Sequence, residues 1–416
     1  MSKVCVVGLG YIGLPTAAML AARGHEVLGC DIDATVVRAV NAAQPHFREP
    51  DLDMLLAAAV QTGRLRAAAA PEPAEFFILA VPTPFAAGNR PDLTHVDAAA
   101  DAIAPRLRPG NVVILESTVP VGTTERLAAR LAASRPDLAL PRRHAPPPDG
   151  CVHVAHCPER ILPGSMLREL VENDRIIGGL GEACASRALG LYESFVQGRT
   201  FLTDSRTAEL VKLAENAFRD VNIAFANELS AICAELGVDV WKAIDLANRH
   251  PRVTILQPGA GVGGHCIAVD PWFLVDSAPD AARLIRTARA VNDAKPGQMV
   301  ALIRAHAARF RAPRLACFGI AYKADVDDLR QSPALEIVQS LAEAGEMEIL
   351  VCDPWMKALP PALAAFPAVR LVDAETARDG ADIAAFLVAH RQFRRLDRSL
   401  FLNKVVVDVV GLMSRD

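Results

Sequence analysis

The sequence predicts an α/β fold with two Rossmann-like doubly wound domains joined by a long central helix. Three observations lead to this prediction. Apolar residues 4–7 and 26–30 flank a helix-like stretch at 15–23, which is the pattern of a βαβ unit. Residues 207–236 form a helical pattern without proline or glycine. From residue 314 onward, strand-like and helix-like segments alternate again.

Further segments in both domains have the length and composition of buried elements. The apolar runs at 76–81 and 112–115 predict parallel strands of the first sheet. The segments that predict the second domain are strands at 315–320, 348–352 and 405–410 and a helix at 332–344. The resulting divisions are a first domain at 1–203, a central helical region at 204–300 and a second α/β domain at 301–416.

The composition narrows the class of protein. The chain has 416 residues, 51% of them apolar and 22% charged, with a net charge of −4, which indicates two or three globular domains and no nucleic-acid partner. Its apolar runs are too short to span a bilayer and no leader precedes the first strand, so we expect no membrane association. Nine cysteines without CxxC spacing predict reduced thiols in a cytoplasmic protein.

A glycine-rich turn follows the first predicted strand. Residues 8–13 read Gly-Leu-Gly-Tyr-Ile-Gly, and Asp31 ends the next strand. In a dinucleotide site Gly8 makes the tight turn, Gly10 lets the backbone approach the pyrophosphate, and Gly13 allows the helix to pack on the sheet. Asp31 can accept hydrogen bonds from the adenosine ribose and would repel a 2′-phosphate. The pattern predicts NAD, bound by Gly8, Gly10, Tyr11, Ile12, Gly13 and Asp31.

Cys266 is the residue that most restricts the chemistry. It follows a turn with glycines at positions 259, 261, 263 and 264. Because an aldehyde has no hydride to give until a nucleophile adds to it, a thiolate beside a nicotinamide allows an alcohol to be oxidised to the acid. Partial exposure would favour the thiolate. The alternative is a structural cysteine buried in a glycine-rich turn.

Residues suited to such chemistry lie in the central region. Lys212 and Asn216 are four residues apart in the predicted helix, so a cation and an amide donor share one face and could stabilise an oxyanion. Asp270 follows Cys266 by four residues and is placed to activate water or accept a proton. Considered alone, the helix pair is more often a solvated surface.

Four residues of the types that bind zinc occur together, but their spacing does not predict a zinc site. Cys151, His153, His156 and Cys157 are close in sequence, but in a strand His156 would face away from the other three, and no second ligand pair is nearby. We therefore expect a buried strand here and no metal.

Motifs along nearly the whole chain resemble the UDP-glucose/GDP-mannose dehydrogenase family. They include GLGYIGLPTAA at 8–18, AVPTPF at 80–85, ILESTVPVGTTE at 114–125, CPERILPG at 157–164, NDRIIGG at 173–179, NRHPRVTILQPGAGVGGHCIAVDPWF at 248–273 and DDLRQSPA at 327–334. The resemblance implies an NAD-binding domain, a central helical dimerisation region and a UDP-binding α/β domain. It therefore also implies a UDP-sugar substrate and a homodimer or higher homo-oligomer.

The resemblance implies catalytic roles for residues in two of these motifs and in the helical segment 205–229. Cys266 would be the catalytic thiolate. Lys212 and Asn216 would stabilise the oxyanion. Thr118 and Asp270 would position and activate water.

Binding roles follow from the same resemblance. Glu159 would act in acid/base steps, and Thr83 and Thr118 would lie along the coenzyme. Arg252 would reach the sugar nucleotide across a dimer interface. The residues implied to contact the substrate are Glu159, Arg160, Lys212, Asn216, Arg252, Gly263, His265, Lys323 and Arg330.

The residues after Cys266 bear on the choice of sugar. UDP-glucose members of the family usually carry Phe-Pro-Lys-Asp there, whereas this chain has Ile267-Ala268-Val269-Asp270. The missing lysine favours a UDP-N-acetylhexosamine, with UDP-N-acetyl-D-mannosamine first. Together with Cys266, the resemblance implies four-electron oxidation of the C6 alcohol of this sugar, for synthesis of a surface polysaccharide precursor. UDP-N-acetylglucosamine, UDP-N-acetylgalactosamine and UDP-glucose are the alternatives, because epimers differ only in the orientation of single groups.

Two more distant functions share part of the pattern. A β-hydroxyacid dehydrogenase transfers one hydride and has the glycine fingerprint and a Lys-x-x-x-Asn pair, but it needs neither the GGHC turn nor a second nucleotide domain. A non-catalytic NAD sensor would have no reason to assemble a nucleophile, an oxyanion pair and an acid. Counting NADH per substrate separates them.

Overall fold

A computed structural model describes residues 1–86, 88–143, 145, 148–162, 164–264 and 266–413. The chain divides into two compact units. The first comprises Met1–Glu215 and Trp272–Pro279, and the second comprises Asn216–Pro271 and Asp280–Asp416. Each unit contains a β-sheet of mainly parallel strands with helices, so the predicted α/β fold is confirmed.

The first unit is built on one large sheet. Its strands are β1 (Lys3–Val7), β2 (Glu26–Cys30), β3 (Leu65–Ala68), β4 (Phe76–Leu79), β5 (Phe85–Ala86), β6 (Arg90–Pro91), β7 (Val112–Leu115), β8 (His153–His156), β9 (Arg175–Gly179) and β10 (Thr200–Asp204). Eight of them form a sheet with the order β10-β9-β8-β7-β4-β1-β2-β3, and β5 pairs with β6. Within the large sheet β8 and β9 run antiparallel, and the other neighbours pair in parallel.

Helices cover both faces of this sheet. They are α1 (Gly13–Ala22), α2 (Ala34–Asn41), α3 (Leu52–Gln61), α4 (Thr94–Ile103), α5 (Thr123–Ser134), α6 (Met166–Glu172) and α7 (Glu182–Tyr192). Alternate residues of β4 and β7 enter different cores: Ile78 and Ile114 pack with α1 and α7, whereas Phe77 and Val113 pack with α4 and α5. Strands buried on both faces are continuous apolar runs, which is why the sequence shows no alternation there.

The long helix α8 (Ser205–Leu236) has 32 residues. At a rise of 1.5 Å per residue it is about 48 Å long. It begins two residues before the predicted start because Asp204 accepts hydrogen bonds from the Arg206 amide and from the Thr207 hydroxyl. It ends before Gly237, whose φ of +66° a helix cannot continue.

The second unit contains a smaller sheet. In chain order, the elements that follow α8 are α9 (Val240–Ala247), α10 (Asp270–Ser277), α11 (Arg283–Ala307), β11 (Arg314–Phe318), α12 (Pro333–Ala344), β12 (Glu348–Cys352), α13 (Pro361–Ala364), β13 (Val369–Leu371), α14 (Ala374–Gly380), β14 (Ile383–Phe386) and β15 (Val405–Asp408). The strand order is β13-β12-β11-β14-β15, and the strands are parallel. This order repeats β3-β2-β1-β4-β7 of the first unit, in agreement with the restart predicted at residue 314.

Among the described residues, the helices that are long enough to cross a bilayer are not apolar enough to do so.

We expect Gly13→Ala to destabilise the first unit strongly. A Cβ atom at Gly13 would lie 1.8 Å from the Gly8 carbonyl oxygen, which is backbone and cannot move aside. The free energy of unfolding should fall by about 3 kcal/mol, the upper end of typical overpacking costs. Thermal unfolding followed by circular dichroism measures the change.

Gly190→Ala is the matched control, because a Cβ at this exposed position of α7 would meet no heavy atom of the described chain within 4 Å. This substitution should raise stability by about 0.5–1 kcal/mol, since alanine favours a helix. Equal melting temperatures for the Gly13 variant and the unchanged chain would contradict the packing argument.

Candidate active site

The three glycines of the turn after β1 have different structural roles. Gly8 has a φ of +91°, and a Cβ atom there would lie 2.5 Å from the Ala80 carbonyl oxygen, so the protein's own packing requires glycine. A Cβ atom at Gly13 would likewise clash with the Gly8 carbonyl oxygen. A Cβ at Gly10, in contrast, would meet no described heavy atom within 4 Å. The backbone at Gly10 is therefore open to the close approach of a ligand.

The start of α1 fits a pyrophosphate. No side chain in the described part of the chain caps this helix, and its first turn carries no acid, so its terminal amides and positive dipole end suit an anion. Asp31 accepts from the Leu9 amide and the Asp33 amide, each at 2.9 Å, which fixes a carboxylate beside the turn. Tyr11 stacks on Phe47 with 4.4 Å between ring centroids. These residues fit a dinucleotide, with the pyrophosphate at α1 and a ribose at Asp31.

Two loops at the carboxyl ends of β4 and β7 are joined by hydrogen bonds. The Thr83 hydroxyl donates to the Thr118 carbonyl oxygen at 2.7 Å, and the Ser117 hydroxyl donates to the Val81 carbonyl oxygen at 2.7 Å. Carboxyl ends of parallel strands are where open α/β sheets bind ligands. Thr83 and Thr118 are therefore brought together at the same edge of the sheet as the glycine turn.

Glu209 of α8 anchors the segment that follows Thr118. Its buried carboxylate accepts from the Gly122 amide at 2.6 Å, and from the Thr124 amide and hydroxyl at 2.7 and 2.6 Å. These bonds satisfy donors at the start of α5. This contact could not be predicted from local sequence, because the two segments are more than 80 residues apart.

Glu159 is buried and held from both sides. Its Oε2 atom lies 2.5 Å from the Arg175 guanidinium, and its Oε1 atom accepts from the Arg160 amide at 2.7 Å. The Arg160 guanidinium in turn lies 2.8 Å from Glu215 of α8. Direct acid/base chemistry by Glu159 would require it to loosen this contact with Arg175, and the role stays a prediction.

A second buried carboxyl, Glu116, lies near Glu159. It accepts from the Tyr192 hydroxyl at 2.6 Å and from Thr16 of α1 at 3.5 Å, and it is 1% exposed. Burial, together with the charge of Glu159, raises the pKa of Glu116 to about 7. Sequence reasoning missed this residue. The available signal was an acid placed directly after the apolar strand β7.

In the second unit, Asn216, Cys266 and Asp270 are close together. The Asn216 amide donates to the Asp270 carboxylate at 2.5 Å, and the Asp270 backbone amide donates to the Cys266 carbonyl oxygen at 2.8 Å. Asp270 is 2% exposed and begins α10. Lys212 lies one turn before Asn216 on α8, as predicted. Cys266 and Asp270 thus lie within one turn of connected backbone, and Asn216 of α8 is joined to them through its hydrogen bond to Asp270.

Cys266 differs from the other cysteines in its exposure. It is exposed, whereas the remaining eight are buried. Burial raises the pKa of Cys157, Cys317 and Cys352 each to about 12, which makes these thiols inert at neutral pH. Cys266 is therefore the cysteine available for chemistry, and the alternative of a buried structural cysteine is excluded at this position.

The glycines before Cys266 allow the turn to pack against the protein itself. A Cβ at Gly263 would lie 2.3 Å from the Gln331 carbonyl oxygen, and one at Gly264 would lie 2.8 Å from the Tyr322 ring. The segment they contact also carries Lys323, whose amine lies 5.5 Å from the centre of that ring, and Arg330, which pairs with Asp328. Gly263, Lys323 and Arg330 are thus brought to one region of the second unit.

Arg252 and His265 are two further predicted substrate residues. Arg252 lies exposed in the turn after α9, where its amide donates to the His250 ring. His265 lies outside the described residues. In the part of the chain that the structure describes, no group of three or more His, Cys, Asp or Glu side chains is arranged to hold a metal ion.

Three family models match successive segments of the chain. They are the NAD binding domain of the UDP-glucose/GDP-mannose dehydrogenase family at residues 2–196, its central domain at 206–294 and its UDP binding domain at 316–415. Together they cover most of the chain. The two α/β regions therefore correspond to different ligands, NAD in the first and UDP in the second.

Individual relatives support the same assignment. The chain is 57% identical over 411 residues to an NDP-N-acetyl-D-galactosaminuronic acid dehydrogenase of Ralstonia nicotianae, covering 99% of this chain and 96% of the relative. It is 53% identical to a UDP-N-acetyl-D-mannosamine dehydrogenase of Campylobacter jejuni, covering 94% and 96%. The solved UDP-D-ManNAc dehydrogenase of Pyrococcus horikoshii superposes with a TM-score of 0.87 at 38% identity, covering 99% and 96%.

The Glu116 carboxyl should make stability depend on pH. Its pKa of about 7 exceeds the value of about 4.3 of an ordinary glutamate, so between these pH values the folded chain keeps a proton that the unfolded chain has lost. The contribution of this group to stability should therefore fall by about 1.4 kcal/mol per pH unit from about pH 4.3 to 7 and level off above. Glu116→Gln accepts from Tyr192 without titrating, so its melting temperature should fall less than that of the unchanged chain between pH 5 and 8.

Glu193→Gln, one residue beyond Tyr192, is the matched control because this carboxyl is exposed. It should leave the pH dependence of the melting temperature unchanged. If Glu116→Gln gives the same pH dependence as the control, Glu116 does not titrate in this range.

Proposed function

The chain is an NAD-dependent UDP-sugar dehydrogenase of the UDP-glucose/GDP-mannose dehydrogenase family, and from this premise we propose that it oxidises a UDP-N-acetylhexosamine to the uronic acid. UDP-N-acetyl-D-mannosamine is the first candidate, and the 57% identical Ralstonia relative makes the N-acetyl-D-galactosamine epimer the second. The observation that carries the proposal is exposed Cys266 joined through Asp270 to Asn216. Its product would be a precursor of a surface polysaccharide.

Cys266 supplies the step that turns an alcohol dehydrogenase into an acid-forming enzyme. NAD⁺, when bound, would supply the hydride acceptor for each of the two oxidations. The Cys266 thiolate adds to the C6 aldehyde to give a thiohemiacetal, and loss of the second hydride and a proton leaves a thioester. Water then cleaves the carbon–sulfur bond, which returns the thiol and releases the carboxylate. The balance is one alcohol, two NAD⁺ and one water giving one carboxylate, two NADH and three protons.

Charge that develops at C6 needs nearby donors and a base. Lys212 and Asn216 would stabilise the alkoxide and the oxyanions of the later steps. Asp270, held by Asn216, and Thr118 would position and activate water. Glu159 would assist proton transfer, and its contact with Arg175 supports a positioning role toward Arg160 as well.

Coenzyme and sugar nucleotide would use different parts of the chain. The segment 1–203 would hold NAD through Gly8, Gly10, Tyr11, Ile12, Gly13, Asp31, Thr83 and Thr118. The segment 204–300 would supply the cysteine and dimer contacts, and 301–416 would hold UDP. Substrate contacts would come from Arg160, Arg252, Gly263, His265, Lys323 and Arg330 in addition to the catalytic residues.

The test is a panel of UDP-sugars with NADH counted against sugar consumed. We expect two NADH per sugar, the highest kcat/KM with an N-acetylhexosamine, and a carboxylate product identified by mass spectrometry. A ratio of one would favour a one-hydride dehydrogenase. NAD binding without turnover of any UDP-sugar would favour a sensor.

Cys266→Ser is the companion variant. A serine hydroxyl is a much weaker nucleophile than a thiolate, so acid formation should fall by at least about 1000-fold while sugar-nucleotide binding is retained. The buried Cys317→Ser is a control for cysteine replacement in general. Uronate production by the Cys266 variant at a near-normal rate would exclude the covalent route.

We further propose that the chain forms a homodimer through α8. Phe218, Phe225 and Ile232 recur every seven residues on this helix and are 72%, 57% and 45% exposed. An apolar stripe of this spacing on a long helix is typical of a face that packs on another helix. A second copy of the chain, with the same stripe, is the proposed partner.

Phe218→Asp combined with Phe225→Asp should convert the dimer to a 44.4 kDa monomer, because two carboxylates on each copy would be buried without partners. Light scattering after gel filtration measures the mass. Met54→Asp, at a position 65% exposed in the first unit, is the control and should leave the mass unchanged. A double variant that keeps the mass of the unchanged chain would exclude this interface.

A further inference from the structure

A row of buried polar side chains joins α8 and α11 to the glycine-rich turn ahead of Cys266. The Asn227 side-chain oxygen accepts from the Gly259 amide at 2.9 Å, and its side-chain nitrogen donates to Asn292 Oδ1 at 2.9 Å. Asn292 in turn donates to Asp220 Oδ1 at 2.8 Å, and Arg289 donates to the same oxygen at 2.6 Å. We call these four side chains, Asp220, Asn227, Arg289 and Asn292, the amide relay.

Every member of the amide relay is removed from water. Asp220 is 0%, Asn227 and Asn292 each 1%, and Arg289 2% exposed. In a buried row of amides the direction of each donor fixes the next, because a flipped amide would place two donors or two acceptors face to face. Since Asp220 and Arg289 hold Asn292, the orientation of Asn227 is determined, and its oxygen is directed to Gly259.

The relay is a poor device for stability alone. Asp220 Oδ2 finds no hydrogen-bond donor among the described residues, and burial raises the pKa of this carboxyl although Arg289 opposes the rise. A buried ion pair loses about as much through desolvation as it gains by attraction. The presence of the amide relay is therefore better explained by the orientation that it gives to Asn227 than by stabilisation of the fold.

A second contact holds the same turn two residues later. Pro296 lies inside α11 and has no amide hydrogen, so the Asn292 carbonyl oxygen lacks the usual helical donor four residues on. A Cβ at Gly261 would lie 3.4 Å from this oxygen and 2.9 Å from Pro333. The turn is thus seated between α11 and the start of α12, and Asn292 contributes both its side chain and its carbonyl group.

We propose that Asn227 is a positioning residue that sets the location of Cys266 through the turn 259–264. This inference rests on the proposed covalent role of Cys266. Capture of the aldehyde requires the sulfur to approach C6 in a narrow range of geometry, and a displacement of 1 Å can cost about 100-fold in rate. Coenzyme binding and the first oxidation do not use the sulfur. Loss of the relay should therefore affect the second half of the reaction selectively.

The experiment compares Asn227→Ala and Asn227→Asp with the unchanged enzyme. Asn227→Ala removes both bonds, whereas Asn227→Asp keeps an acceptor for the Gly259 amide and loses the donor to Asn292. We expect the rate of acid formation to fall by about 10–100-fold in the alanine variant and less in the aspartate variant. KM should change by less than about threefold, and free aldehyde, trapped with a hydrazine, should appear with fewer than two NADH per sugar.

Asn222→Ala is the matched control on the same helix, since this amide donates to the Phe218 carbonyl oxygen within its own turn. It should form acid with two NADH per sugar at the normal rate. Alkylation of Cys266 by iodoacetamide, located by peptide mass spectrometry, gives a readout without turnover and should change in rate in the Asn227 variants only. If the alanine variant does not fold, the aspartate variant carries the test.

Two results would overturn the inference. One is full acid formation by a folded Asn227 variant with normal alkylation of Cys266. The other is an equal loss of both oxidations, which would indicate general loosening of the unit. A yield of one NADH per sugar by the unchanged enzyme would instead overturn the proposed function, and this inference with it.

Discussion

The structure depends on hydrogen bonds from backbone amides to carboxylates at the ends of parallel strands. In the first unit Asp31, after β2, accepts from the Leu9 amide at 2.9 Å. In the second unit Asp353, after β12, accepts from the Ile320 amide at 2.8 Å. A charged acceptor makes such bonds stronger than those between neutral groups. They hold the turn after the central strand in the position where an α/β sheet binds its ligand.

The two units share this arrangement of turn and aspartate, but they differ in whether the aspartate is accessible to a ligand. Gly8 and Gly319 have φ values of +91° and +88°. The Gly8 amide donates to the Cys30 carbonyl oxygen and the Gly319 amide to the Cys352 carbonyl oxygen, both at 2.8 Å, and each acceptor residue directly precedes the aspartate. In the second unit, however, His390 lies 3.3 Å from Asp353, and both side chains are fully buried. A covered carboxylate cannot receive a ribose hydroxyl as Asp31 can. The same βαβ geometry is therefore compatible with NAD in one unit and UDP in the other.

Local sequence was sufficient to predict the strands and helices that have a continuous or periodic apolar pattern. The strands Glu26–Cys30, Val112–Leu115 and Glu348–Cys352 have the predicted bounds, because in each an apolar run is followed directly by an acidic residue. The start of α8 was misplaced by two residues because its cap depends on Asp204. The predicted set around Cys266 was accessible from spacing, since Asp270 begins the helix that directly follows.

Partners distant in sequence could not be predicted. Asn227 meets Asn292 across 65 residues, and Glu116 meets Tyr192 across 76. Neither pair has a spacing rule, because each depends on how two elements pack rather than on the period of one. A polar residue within an apolar stretch signals that a partner exists without identifying it. The contacts that orient the candidate site are therefore the part that required three-dimensional structure.

The surroundings of Arg175 illustrate what such contacts imply for chemistry. Two buried carboxyls, Glu116 and Glu159, lie near this single buried guanidinium, which also lies 5.4 Å from the centre of the Tyr192 ring. Arg175 binds Glu159 directly, and burial together with the charge of Glu159 raises the pKa of Glu116 to about 7. Because Glu116 contacts Thr16 of α1 and Arg175 contacts both the Tyr192 ring and Glu159, α1 and the Glu159 loop meet in one cluster of buried polar side chains. The electrostatic surroundings of Glu159 therefore depend on the position of α1 through Glu116.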